Sequence, residues 1–222
     1  MEKMKIIRAL WGDFLNDHRD EIPQSPQLDE IVFVWGKENL EYIESLGYET
    51  IYVNDIGDSF NLKLKALDLG HQMFGEILFL DWDCVTNLKL ETIQNLKLPS
   101  PCMPLYSYPK DYNDWDMLHE HSWDVNDILV LPNACFIYTK DVNIGHELEK
   151  IVTKYKLVGL VEEFAMKIWS KCSLDEYIKK YDVPYLNGRE NSQYFLVDGD
   201  QVNTSRILNK YIGTKKLLFK HH

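Results

Sequence analysis

Nothing in the sequence is apolar for long enough to cross a membrane; the longest runs, at 31–35 and 77–80, are strand-length. Cysteine is scarce: four residues, Cys84, Cys102, Cys135 and Cys172, share no C-x-x-C spacing. That speaks against a disulfide framework or a zinc site and for a reducing, cytoplasmic setting. Positive charge is also short, with 24 Lys and Arg against 35 Asp and Glu and a net charge of -11. A nucleic-acid partner, which needs surplus cations, is therefore not expected. No glycine-rich phosphate loop stands near the start, which counts against a nucleotidyltransferase that makes sugar nucleotides. The first residues lack a small-residue cleavage site and read as a strand rather than a signal peptide. No repeat, linker or low-complexity stretch interrupts the chain, so one domain over 1–222 is expected.

What is present is an alternation of strand and helix patterns. Strands are expected at 5–10, 31–36, 49–55 and 76–84. Helices lie between, one with Leu40, Ile43 and Leu46 on a face and Gly47 as its stop. Phe60, Leu64, Leu67, His71 and Phe74 mark the apolar face of another, ending at Gly75. The run 76–84 is apolar on both faces and suits a central strand. Later come strands at 101–109 and 128–139, helices near 145–155 and 161–171, and a capping box at Ser173–Glu176. A further strand is expected at 194–199. This order gives an α/β fold: a mixed, mostly parallel sheet flanked by helices, with halves at about 1–109 and 110–222.

Such sheets bind ligands beyond the carboxyl ends of their strands. The residues there are Trp11-Gly12-Asp13, Asn54-Asp55 and Asp81-Trp82-Asp83. Asp81 and Asp83 flank one residue after a buried strand, and both can reach a hard cation, Mn²⁺ or Mg²⁺. Such a cation would also offset the repulsion between an acidic protein and a diphosphate. The plain alternative is a solvated strand end. A second Asp-Trp-Asp, at 114–116, lies in a polar stretch at 110–127 and reads instead as part of a loop, where exposed Trp115 and Trp123 could stack on sugars. His119 and His121 read as surface residues.

The helix at 60–75 followed by a strand and D-x-D resembles the GT-A glycosyltransferases. The resemblance covers the first half best. It implies a nucleotide-sugar donor, a glycan or other hydroxyl acceptor, and transfer assisted by a divalent metal. By that resemblance Asp81 and Asp83 hold metal, diphosphate and ribose around Trp82, with Asp83 the direct ligand. Trp11 and Gly12 lie by the base, Asn54 and Asp55 face the donor, and Lys63 or Lys65 meets the phosphates. Glu162 and Glu163, opening a helix, supply a catalytic base, though acids there also complement a helix dipole. The basic tail 215–222 closes over the diphosphate, and His221 joins the metal, though the same residues also suit a frayed terminus or a remnant of a purification tag. Two rivals stand beside this: a HAD-type phosphatase with Asp81 as nucleophile, Asp83 as acid/base and 197–203 as its late acidic motif, and a non-catalytic sugar-nucleotide-binding relic.

Overall fold

The structure is a computed structural model, which describes residues 3–54, 62–86, 89–94, 98–109, 116–125, 128–181, 185–186 and 219–221. The chain begins with β1 (Lys5–Leu10), α1 (Phe14–His18) and a 3-10 turn at Arg19–Glu21. Next come β2 (Glu30–Val34), α2 (Lys37–Ser45), β3 (Glu49–Tyr52), α3 (Leu62–Phe74) and β4 (Ile77–Leu80). The middle contains β5 (Cys84–Thr86), α4 (Leu90–Gln94), β6 (Leu105–Pro109), α5 (Asp116–His121), β7 (Trp123–Val125), β8 (Ile128–Pro132) and β9 (Phe136–Thr139). The remainder holds α6 (Ile144–Tyr155), α7 (Val161–Ser170), α8 (Leu174–Tyr181), β10 (Tyr185–Leu186) and β11 (Phe219–His221).

A five-stranded sheet, ordered β3-β2-β1-β4-β9, organises the molecule. Its first four strands are parallel and β9 joins antiparallel, with Leu80 opposite Phe136. The expected α/β architecture with a mixed, mostly parallel sheet is thus observed. Every residue of β2 and β4 is buried, which explains runs apolar on both faces. Two separate buried clusters cover the sheet: Leu64, Leu67 and Leu148 of α3 and α6 pack in one, Ile43 of α2 in the other. A second sheet, β10-β6-β8-β7, continues the core toward α7 and α8.

Helix α3 is seated tightly. A Cβ on Gly145 of α6 would meet Asp68 N and Leu64 O at 2.5 Å. Only glycine lets the two helix backbones approach this closely. Asp68 reinforces the contact by accepting from Asn143 Nδ2 at 2.5 Å and Gln72 Nε2 at 2.7 Å. The start of α3, which carries Lys63, is therefore fixed relative to the sheet.

Several expectations are corrected. Strand 76–84 breaks at Asp81: β4 ends at Leu80, a turn follows, and β5 starts at Cys84. The run 128–139 also divides into β8 and β9, which belong to different sheets. Asn133 Oδ1 accepts from Cys135 N at 3.0 Å, and this local bond turns the chain between them. The buried side of α3 is Leu62, Leu64, Ala66, Leu67, Asp68 and Gly70, while His71 and Phe74 are only half-buried. Packing against both β1 and α6 broadens that face. The stretch 110–127 is not one loop, since it contains α5 and β7. Trp123 is buried there, its indole donating to Cys172 O at 2.9 Å and its ring 5.0 Å from Tyr177. It cannot stack on a sugar in this arrangement.

Helices α6 and α7 lie where the pattern puts them. The capping box at α8 is formed: Ser173 N donates to Glu176 Oε2 at 2.8 Å, and Glu176 N to Ser173 Oγ at 3.3 Å. Cys84, Cys102 and Cys135 are buried free thiols. The expected strand 194–199, the acidic motif 197–203, Asp114-Trp115, Phe60 and the tail residues 215–218 and 222 lie outside the described residues.

Candidate functional site

The break after β4 creates the site. Asp81 N donates to Cys135 O at 2.9 Å, completing the sheet edge, and Cys84 N donates back to Asp81 O at 3.0 Å. These bonds close a turn that carries Asp81, Trp82 and Asp83 across the carboxyl ends of β1 and β4. A pocket of about 280 Å³ opens there. Trp11, Phe14 and Trp82, with Ala9, give it an apolar side, and Lys63, Asp81, Asp83 and Glu21 a charged one.

The charges are specifically arranged. Lys63 Nζ donates to Asp81 Oδ2 at 2.7 Å, with side chains 13% and 26% exposed. Glu162 and Glu163, from the first turn of α7, are buried close enough to act on the same ammonium. Burial disfavours the Lys63 charge, but Asp81, Glu162 and Glu163 more than offset it and hold its pKa above the usual lysine value. One cation therefore faces three carboxylates. Burial pushes Glu162 up to about 7, with Lys63 opposing and Glu163 adding to the rise. Burial also raises Glu163, whose Oε1 accepts from Ala134 N at 3.3 Å.

The sequence candidates divide as follows. Trp11, Lys63, Asp81, Trp82 and Asp83 line one pocket, whereas Gly12, Asn54, Lys65, Glu162 and Glu163 are not among its lining residues. Gly12 is exposed with φ +56°, and its carbonyl accepts from Asn39 Nδ2 at 3.2 Å. Asn54 is exposed, and Asp55 lies outside the described residues. Trp82 is more committed to the core than a free stacking platform would be. Its indole donates to Ala9 O at 2.8 Å and its ring packs edge-on against Tyr48 at 5.7 Å. His119 is exposed, and His121 lies against Phe164, with ring centroids 5.3 Å apart. In the tail, β11 pairs antiparallel with β5, so the His221 backbone lies opposite Cys84, directly after Asp83.

The residues offer a partial fit to a divalent cation. Among the described residues no group of three or more His, Cys, Asp and Glu side chains is arranged to hold a metal. Asp81 and Asp83 provide two carboxylates on one turn. Two carboxylates suit a cation that completes its shell with substrate phosphates, not one caged by protein alone.

Sequence reading missed Arg8. It is 1% exposed in the middle of β1 and reaches Asp81 O and Cys84 O from behind the turn. Its signal was a lone arginine within KIIRAL, since a buried charge requires a partner. Glu30, 2% exposed at the start of β2, is that partner.

No family model matches the chain, and no curated protein does. Solved structures do. The glycosyltransferase GlyE of Streptococcus pneumoniae TIGR4 matches with TM-score 0.47 and 12% identity, over 85% of this chain and 46% of that one. The chain thus spans less than half of the GlyE structure. Mouse xyloside xylosyltransferase 1 in its apo form matches with TM-score 0.42 and 11% identity, over 74% of this chain and 80% of that one. A putative glucose-1-phosphate thymidylyltransferase from Bacillus anthracis, in complex with a sucrose, matches with TM-score 0.42 and 13% identity, covering 94% and 93%. These structural neighbours are glycosyl- and nucleotidyltransferases, and at such scores the likeness carries no weight for activity. No helix among the described residues is long and apolar enough to cross a membrane.

Proposed function

We propose that the protein is a nucleotide-sugar-dependent glycosyltransferase whose donor occupies the pocket at Asp81-Trp82-Asp83. The observation that carries this reading is the pocket's two-sided lining: Trp11 and Phe14 against Lys63, Asp81 and Asp83. An aromatic wall suits a nucleobase and a lysine suits phosphate oxygens. The paired aspartates suit a Mn²⁺ or Mg²⁺ ion shared with a diphosphate. When bound, that cation would supply Lewis-acid stabilisation of the departing diphosphate.

The chain's own residues have distinct parts in this proposal. Asp81 releases Lys63 when donor enters, and the ammonium turns to the phosphates. Trp11 orients the base. Glu162, poised about pH 7, is the candidate to take the proton of the acceptor hydroxyl, because a base is most effective near the working pH. Glu163 is the weaker candidate, since its Oε1 already serves Ala134 N–H. His221 beside the turn, with the rest of the tail, would close the donor in.

Binding tests the proposal directly. Melting of the protein with UDP, GDP, ADP or CDP, each with and without Mn²⁺, should single out a nucleotide that stabilises only with metal. Linkage predicts about 2.7 kcal/mol at a hundredfold excess over Kd. If no nucleotide shifts the transition, the donor-site reading is wrong.

A further inference from the structure

We propose that Arg8 is the positioning residue of the Asp81–Cys84 turn, holding its backbone from the core side so that Asp81 and Asp83 face the pocket. The proposal rests on the reading of that pocket as a nucleotide diphosphate site. Arg8 Nη1 donates to Asp81 O at 2.5 Å, and Nη1 and Nη2 both lie 3.4 Å from Cys84 O. One planar group thus grips the first and last carbonyls of the turn. On its other edge Nε is 3.6 Å from Glu30 Oε1, and Glu30 is fixed through Oε2 by Leu28 N–H at 2.6 Å. Across its face lies the Trp82 ring, 5.1 Å from the guanidinium carbon. The guanidinium is constrained on both edges and on one face, and Trp82 itself belongs to the turn.

Stability alone does not account for this arrangement. Replacing a buried ion pair by apolar side chains of similar volume is often neutral or stabilising. The turn is also closed without Arg8, by Cys84 N–H on Asp81 O at 3.0 Å. What Arg8 adds is a fixed placement of both ends of the turn relative to β1 and β2. A two-carbonyl grip needs a fork of donors in one plane, which arginine has and lysine lacks. Asp81 therefore carries two unlike loads: its carbonyl is held by Arg8 in the core, and its carboxylate is presented to Lys63 in the pocket.

The test compares the wild type with an Arg8→Met/Glu30→Met double variant and with Arg8→Lys. The double variant removes both charges together, so no lone charge stays buried. It should fold with a near-native melting temperature. Amide exchange in a peptide spanning 80–86 should nevertheless speed up by about tenfold or more, the loss of one charge-assisted hydrogen bond. Exchange in β8 and β9 should not change. The affinity for the nucleoside diphosphate that stabilises the wild type with Mn²⁺ should fall by a similar factor. Arg8→Lys, which keeps the charge without the fork, should give intermediate exchange and affinity. Wild-type exchange at 80–86 in a folded double variant overturns the proposal. If the double variant does not fold, wild-type exchange and affinity in Arg8→Lys overturn it. Should the wild type bind no nucleotide, the pocket reading fails, and exchange at 80–86 still decides the part of Arg8.

Discussion

Two cations serve one aspartate, and they differ in almost everything except charge. Lys63 meets the Asp81 carboxylate from the pocket, with side chains 13% and 26% exposed. Arg8 meets the Asp81 carbonyl from the core, where its own side chain and that of Glu30 are 1% and 0% exposed. The half-buried contact can be exchanged for another anion, because both groups keep access to solvent. The buried contact cannot, because water does not reach it to offset a lost partner. The same turn thus holds a replaceable bond on one side and a permanent one on the other.

The largest effect should come from breaking the permanent side alone. Arg8→Ala leaves Glu30 buried without its cation, and burial already raises the Glu30 pKa despite Arg8. Denaturant unfolding should show a loss of about 3–5 kcal/mol. A loss below 1 kcal/mol would mean that the pair is not isolated from water.

Next in size is the carboxylate pair above Lys63. The folded-state pKa of Glu162 is raised by burial to about 7 from the ordinary 4.5. Below pH 4.5 it is protonated whether folded or unfolded and has no effect. Between 4.5 and 7 only the folded state keeps the proton, so stability falls as pH rises, and the full cost is present above 7. Glu162→Gln should remove this slope, gaining at most about 3 kcal/mol over wild type at pH 8 and nothing at pH 4. Unfolding in urea at the two pH values checks it. Parallel curves for variant and wild type would contradict the burial of that charge.

Breaking the replaceable side should cost less. Lys63→Met is expected to lower stability by about 1–2 kcal/mol, the range of a charge-assisted bond with limited exposure. Its affinity for nucleoside diphosphate should fall far more than its stability. Equal losses of both would assign Lys63 a purely structural part. The smallest effect calibrates the others. Lys150 and Glu147 on α6 also meet at 2.7 Å but are 57% and 37% exposed. Lys150→Ala should change stability by no more than about 0.5 kcal/mol, which separates the effect of distance from that of burial.

How much of this was legible in the sequence follows the same division. Periodicity identified β1, α6, α7 and the α8 cap because their patterns are local. D-x-D at a strand end pointed to the turn, and Lys63, expected there only from the resemblance, lines the same pocket. The break of strand 76–84 was not legible, since the Cys84 N–Asp81 O bond that closes the turn lies inside a continuous strand-like run, and the Cys135 and Arg8 contacts that place the turn are distant in sequence. The division of 128–139 depended on a side-chain turn at Asn133, and an apolar run concealed it. Trp123 read as a loop residue because its partners, Tyr177 and Cys172, lie about fifty positions away. Arg8 was visible as a letter but not as a contact, because one buried charge does not name its partner.

In the proposed function, Asp81 and Asp83 present a diphosphate site on a turn held from behind. Calorimetric titration of wild type and Asp83→Ala with the stabilising nucleotide and Mn²⁺ tests it most directly. Wild type should bind only with metal and Asp83→Ala should not bind, with an unchanged melting temperature for the free variant. Equal affinity in the two proteins, or equal affinity with and without Mn²⁺, would contradict it.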